Sequence, residues 1–293
     1  MSELPNPISF ASALEKFVDH LKSQKRSSAT TIAYQGDLRQ LHLYLESHRI
    51  TQATTVQTVH LEEYVADLGT KGYTPKSISR KINSFKTFFK FLHEQGLHNF
   101  NPALPLTHPK YDTPAPRILT PEEYRKLRDA SRLDIRISAI VELLLQTGVR
   151  IGELANLHVE DVKKNELVIR SFENNPARTI PLNKTAASAL QNYLNIRPQV
   201  TDLHLFVTKT GHPLLIRNIR TAIDRYFTKA GIKEAKVNDL RHTFIAHQLG
   251  AGVDLELINH IVGHRRKSST EKYLEYIGTL PAGRQALPRP VEL

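Results

Sequence analysis

The sequence predicts a mainly α protein in two parts, a small N-terminal four-helix domain and a larger helical domain that carries a small antiparallel β-sheet. Apolar residues recur at helical spacing through most of the 293 residues. The pattern stops in a proline-rich stretch after Gly96, and one strand-like patch interrupts it later, around an Asn-Asn-Pro turn. A chain of this length exceeds the usual single domain, and each part is long enough to bury a core.

Phe10, Leu14, Phe17 and Leu21 open the first helical pattern, and Tyr34, Leu38, Leu41 and Leu45 the second, each spaced four-three-four. A weaker third uses Leu61, Tyr64, Val65 and Leu68. The fourth is bracketed by its own signals: Thr74 to cap, Pro75 at the first helical position and Gly96 to end it. At about 100° per residue, Ile78, Ile82, Phe85, Phe89 and Leu92 share one side of this helix. Lys76, Arg80, Lys86 and Lys90 fall on the other, and no acidic residue lies between Asp67 and Glu94. A solvated helix face and a phosphate-tracking surface both fit such a stripe.

LHNFNPALPLTHPKYDTPAPRIL carries five prolines and little periodicity, which reads as an extended connection starting near residue 97. The expected domains are 1–112 and 113–293. Thr120, Pro121, Glu122 and Glu123 make a strong helix start. The runs ELVIRSF and ARTIPL around ENNP read as a hairpin.

Forty Lys and Arg against 29 acidic residues leave a net charge of +11, which favours a polyanionic partner such as nucleic acid or an anionic surface. With no cysteine, disulfides, thiol nucleophiles and cysteine-ligated zinc are excluded. No apolar run approaches the roughly 18 residues of a membrane span, and the first residues lack a signal-peptide pattern. A soluble, cytoplasmic protein with no membrane contact is the expectation.

Ile137, Ile140, Val141, Leu144 and Leu145 mark a buried helix face that Gly148 breaks just before Arg150. Farther on, Asn238 or Asp239 is expected to cap a helix with Arg241 in its first turn. His264 follows Gly263, and Ser268 with Glu271 forms a capping-box pattern before Tyr273. Taken singly, an arginine after a helix end is ordinary surface chemistry. Taken together, Thr147-Gly148-Val149-Arg150 through Glu153-Leu154, then Leu240-Arg241-His242-Thr243, then Gly263-His264 with Tyr273 nine residues on, resemble the tyrosine recombinases, the phage-integrase and Xer-type enzymes. The order and spacing of all three elements match.

The resemblance implies an N-terminal SAM-like core-binding domain, a proline-containing linker and a helical catalytic domain with a small sheet. It also implies site-specific recombination of double-stranded DNA through a 3′-phosphotyrosyl intermediate, with no metal or nucleotide cofactor. The working form would be a homotetramer on two duplexes, alone or with a partner recombinase. Arg150 and Arg241 would clamp one phosphate through planar donor forks, a role the chemistry of guanidinium suits. His264 would donate a further hydrogen bond, Tyr273 would be the nucleophile, and Glu153 would orient its neighbours. Tyr276, one turn on, does not match the spacing and is assigned to packing. The helix holding Ile216, Ile219, Ile223 and Phe227 would enter the major groove with Arg217 and Arg220 facing out.

Two positions depart from the pattern. The usual histidine three residues before the second arginine is Asn238 here, which can hydrogen-bond but cannot exchange a proton near neutral pH. The usual hairpin lysine, the proton donor to the leaving 5′ oxygen, is missing from the turn, where Glu173 falls near its place. Lys163, Lys164 and Lys184 flank the strands as substitutes, whereas Arg178 is too basic for ready proton transfer. These departures support an alternative, a catalytically impaired, recombinase-derived DNA-binding protein. A histidine metal site built from His242, His247, His260 and His264 is disfavoured, because no H-E-x-x-H arrangement exists.

Overall fold

The computed structural model describes residues 7–24, 26–112, 114–172, 175–277 and 291–293. The chain divides into two compact units, Met1–Thr113 and Pro114–Leu293, each with its own buried apolar cluster.

The first unit is built from α1 (Phe10–Ser23), α2 (Ser28–Ser47), α3 (Thr58–Thr70) and α4 (Pro75–Glu94). Hydroxyl caps start three of them: Ser9, Ser27 and Thr74 accept backbone N–H bonds from Ser12, Thr30 and Ser77. The buried face of α4 is wider than its periodicity predicts, taking in Phe88, Phe91 and Lys81, because α1, α2 and α3 all pack against it. Lys81 is only 2% exposed and donates to Asp37 Oδ1 at 3.0 Å; Arg80 pairs with the same carboxylate. A buried ammonium persists only with such a partner.

The stretch expected to be extended from residue 97 is instead folded back on this unit as far as Leu106. Ala103 and Leu106 are buried, Asn101 Nδ2 donates to the Lys86 carbonyl at 3.1 Å, and Thr58 Oγ1 donates to the Pro102 carbonyl at 2.9 Å. Apolar residues between the prolines gave it a surface to bury, which the prolines obscured.

The second unit runs α5 (Pro121–Ser131), α6 (Ile135–Thr147), α7 (Ile151–Ala155), β1 (Glu166–Ile169), β2 (Arg178–Pro181), α8 (Lys184–Ile196), α9 (Ile216–Lys229), α10 (Val237–Gly250), α11 (Leu255–Val262) and α12 (Ser268–Glu271). A 3-10 segment, Lys272–Tyr276, follows. The strands pair antiparallel, Glu166 opposite Pro181 and Ile169 opposite Arg178. Glu173 lies outside the described residues, as do Pro281, Pro288 and Pro290 of the C-terminal stretch. α6 is buried nearly all round, packed by α5, α8, α9 and α10. It makes the floor on which the segments carrying Arg150 and Arg241 stand.

Gly148 closes α6 in the left-handed region at φ 60°. A Cβ there would stand 2.4 Å from Phe244 Cδ1 of α10, so the residue supplies both the turn and the close approach of two helices. Gly148→Ala is expected to lower stability by about 1–3 kcal/mol from overpacking, on top of left-handed strain. Gly231→Ala is the control, because its φ is also positive, 69°, but its Cβ would meet nothing within 4 Å. Equal midpoints of the two variants in urea unfolding would rule out the Phe244 contact as a constraint.

Candidate active site

Arg150 sits at the N-cap of α7 in extended backbone, immediately after the Gly148 turn. Thr147 shapes that turn by accepting the Val149 N–H at 3.3 Å. Three residues on, Glu153 is 3% exposed and accepts from the Arg150 backbone N–H at 3.0 Å and from Arg150 Nη1 at 3.1 Å. Its other partner comes from β2: Arg178 grips both carboxylate oxygens, at 2.9 and 2.8 Å. Burial by itself would raise the Glu153 pKa. The hydrogen bonds and charge of Arg178, with the Arg150 contacts, outweigh that and hold it below the ordinary carboxylate value.

The turn after α11 completes the cluster. Gly263 is left-handed at φ 64°, and a Cβ on it would come within 2.9 Å of the Arg178 guanidinium. Arg178 Nε donates to the Ile261 carbonyl at 2.6 Å, Arg150 Nη1 and Nη2 donate to Val262 and Gly263 at 3.0 and 2.8 Å, and Arg241 Nη2 donates to Val262 at 2.8 Å. The Val262 carbonyl therefore receives both motif arginines. Arg241 is 5% exposed; burial first and the Arg150 charge second lower its pKa to about 9, which leaves it cationic at neutral pH. Three guanidinium groups gather near one carboxylate, which pairs with Arg150 and Arg178 but not with Arg241, so the cluster carries an unbalanced positive charge suited to an anion.

His264 continues from Gly263. Asn259 Nδ2 donates to the His264 carbonyl at 3.2 Å, which fixes the amide so that Asn259 Oδ1 accepts the Thr270 hydroxyl proton at 2.8 Å. Thr270 Oγ1 is then left to accept from His264 Nδ1 at 2.9 Å, and the neutral ring carries its proton on Nδ1. Burial, then Arg241 and Arg150, lower the His264 pKa to about 3. Its Nε2 can donate to a phosphate only after gaining a proton, which a bound anion that offsets the arginine charge would favour.

Tyr273 is 3% exposed in the 3-10 segment, and its Oη lies 2.5 Å from His242 Nδ1. Burial pushes its phenol above the ordinary value and Arg241 opposes the shift, so the resting side chain is protonated. Tyr276 is 39% exposed and outside this group.

The sequence expectation for the helix start of α10 needs correction. Lys236 is the N-cap, Asp239 accepts its backbone N–H at 2.7 Å from the third helical position, and Arg241 is in the second turn. Asn238 is therefore not a cap; its Nδ2 lies 2.7 Å from His242 Nε2. The Ser268–Glu271 capping box is also absent, because Lys267 is already helical and holds the N-cap without a side-chain bond. Lys163, Lys164 and Lys184 are exposed, and among the described residues no hydrogen bond joins them to the arginine cluster. No group of three or more His, Asp or Glu able to hold a metal ion occurs among the described residues.

Of the basic candidates outside the cluster, Arg217 and Arg220 are exposed on α9, opposite buried Ile219, Ile223 and Phe227. Lys76 and Lys90 are exposed on α4, and Lys86 is half-buried. Arg80 is tied to Asp37. The sequence marked Arg178 only as a poor proton donor and His242 only as a motif and disfavoured metal-site residue, so the Glu153 contact of the one and the Tyr273 contact of the other were not foreseen. Alternation in β2, which turns residues 178 and 180 inward, was the available signal for Arg178. For His242 it was the four-residue spacing from Asn238.

Residues 117–276 match the Phage integrase family, and residues 14–96 match its N-terminal SAM-like domain. The chain belongs to the phage integrase family. Within it, the chain is 32% identical to "Tyrosine recombinase XerC" of Roseiflexus castenholzii over 274 residues, covering 89% of this chain and 87% of that one. A "Tyrosine recombinase" of Pseudothermotoga lettingae is 30% identical over 271 residues, covering 90% and 93%. Among solved structures, XerA recombinase is similar at 27% identity and a TM-score of 0.53, covering 93% and 95% of the two chains. Tn1549 transposon integrase in complex with circular intermediate DNA shares the fold, with a TM-score of 0.73 at 20% identity over 91% and 95%. The family relationship makes this protein a tyrosine site-specific recombinase.

Two outcomes test the cluster as described. Glu153→Leu is expected to cost about 3–5 kcal/mol by stranding Arg178, and adding Arg178→Met should recover most of it. A double variant as unstable as the single would show the carboxylate has another structural role. Stability should also fall as pH drops below about 6.5, where the unfolded chain protonates histidines that burial keeps neutral in the fold, namely His98, His242, His247 and His264. The Glu153 contribution is lost lower, as pH falls from the ordinary carboxylate value through its depressed one. Urea midpoints that do not change between pH 7.5 and 5.5 would contradict neutral burial.

Proposed function

We propose that this recombinase cuts and rejoins double-stranded DNA at specific sites by transesterification, with Tyr273 forming a covalent bond to a 3′-phosphate. The observation that carries the reading is the meeting of Arg150 and Arg241 on one carbonyl, next to His264 and with Tyr273 against the same helix as Arg241. Tyr273 Oη would attack phosphorus and displace the 5′ oxygen, and the phosphodiester energy stays in the protein–DNA bond until a 5′-hydroxyl attacks in return. Arg150 and Arg241 would offset the charge that gathers on the non-bridging oxygens in the pentavalent transition state, with His264 donating alongside. Glu153 and Arg178 position this clamp. The chemistry calls for neither metal nor nucleotide.

Pro114–Leu293 would be the catalytic domain, with Arg217 and Arg220 of α9 facing the major groove. Met1–Thr113 would bind DNA through α4, where Lys76, Lys90 and the half-buried Lys86 meet phosphates. Arg80 would contribute through a guanidinium shared with Asp37. Recombination joins two duplexes, so four protomers are the proposed working unit, alone or with a partner recombinase, acting on cytoplasmic DNA; a lambda integrase tetramer bound to a Holliday junction has the same fold.

The test is covalent trapping on a nicked duplex carrying a site found by binding selection, in chelator and without nucleotide. Wild type should give a protein–DNA band that Tyr273→Phe lacks, and Arg150→Ala or Arg241→Ala should lower its rate by about 10²- to 10³-fold. Tight specific binding with no band from wild type would leave the protein a DNA-binding relative without strand cleavage.

A further inference from the structure

We propose that His242 is the group that takes the proton from Tyr273, and that Asn238 sets which ring nitrogen is free to do so; the proposal rests on the cleavage reading above. Asn238 and His242 are four residues apart on one face of α10, and Tyr273 packs against the same helix. The imidazole is held at both ends, by Asn238 Nδ2 2.7 Å from Nε2 and by Tyr273 Oη 2.5 Å from Nδ1. Among the described residues no other base is as well placed: Glu153 is bound by two arginines, Asp239 by the Lys236 N–H, and His264 Nδ1 by Thr270. Asn238 itself cannot accept a proton at neutral pH, but an amide offers a donor on one side and an acceptor on the other.

That two-sidedness gives the arrangement its use. With Nδ2 toward the ring, Nε2 accepts and Nδ1–H donates to the phenol oxygen. With the amide turned by 180°, Oδ1 accepts from Nε2–H, and Nδ1 offers its lone pair to the phenol O–H. Asn238 is exposed, so solvent can replace whichever amide atom turns away. In the second arrangement the phenolic proton passes to Nδ1 as the Oη–P bond forms and the P–O5′ bond breaks. The electron pair leaves on O5′, which takes a proton from water. On rejoining, a 5′-hydroxyl loses its proton to water and attacks, the P–Oη bond breaks, and His242 returns its proton to Oη. Burial holds His242 below the ordinary histidine value, with Asp239 opposing and Arg241 and Lys272 adding, so it enters the step neutral; Tyr273 and His264 are its other titratable neighbours.

The experiment measures the rate of covalent adduct formation on the selected nicked duplex, with oxygen or sulfur at the 5′ bridging position, as a function of pH. Sulfur leaves without an acid, so it isolates the nucleophile side. His242→Ala and His242→Gln should each slow the reaction by about 10²- to 10⁴-fold on both substrates, while keeping wild-type affinity for the duplex as proof of folding. Their rates should climb with pH toward the phenol range, where the wild-type rate is flat. Asn238→Asp, which presents only acceptors, should retain activity with its acid limb moved to higher pH. A His242→Gln rate equal to wild type would overturn the proposal, and so would a loss confined to the oxygen substrate, which would place His242 at the leaving group. No adduct from wild type on either substrate would instead defeat the cleavage reading, and this one with it.

Discussion

The buried carboxylate of Glu153 is the interaction on which the rest of the site depends. It joins the start of α7 to β2 through Arg150 and Arg178, and Arg178 in turn ties β2 to the Ile261 carbonyl ahead of His264. A carboxylate in so dry a place persists because two guanidinium groups satisfy it, and they are held in place because it is there. Its removal would loosen the hairpin, the α6–α7 turn and the α11 turn together, so one buried acidic residue governs the geometry of the arginine cluster.

Two left-handed glycines make that geometry reachable. Gly148 lets α10 approach α6 through Phe244, and Gly263 lets the Arg178 guanidinium lie against the backbone. Each glycine sits beside a motif residue, so the Gly in Thr-Gly-Val-Arg and in Gly-His records close approach as well as chain reversal. Thr243 has a similar structural part, since its Oγ1 accepts the Leu119 N–H at 2.9 Å and anchors the start of the catalytic unit to α10.

The electrostatic design separates holding charge from moving protons. Burial first and the charges of Arg241 and Arg150 second suppress protonation of His264, while the Arg241 charge opposes the burial that keeps Tyr273 neutral. His242 lies at the edge of this field, between the phenol and an amide that can act as donor or acceptor.

By itself, the sequence determined the helical class, the helix bounded by Thr74 and Gly96 and the antiparallel pair, and it named Arg150, Arg241, His264 and Tyr273 as the candidate site. Those follow from local rules: apolar period, cap chemistry, glycine turns and motif spacing act over a few residues and leave their mark there. Tertiary structure alone decided that the residues after 97 fold back, that Asn238 faces His242 rather than capping α10, that Lys81 is buried on Asp37, and that Arg178 completes the Glu153 pair. Each of these depends on which distant group fills a buried donor or acceptor, and that pairing is fixed by packing between elements far apart in the chain.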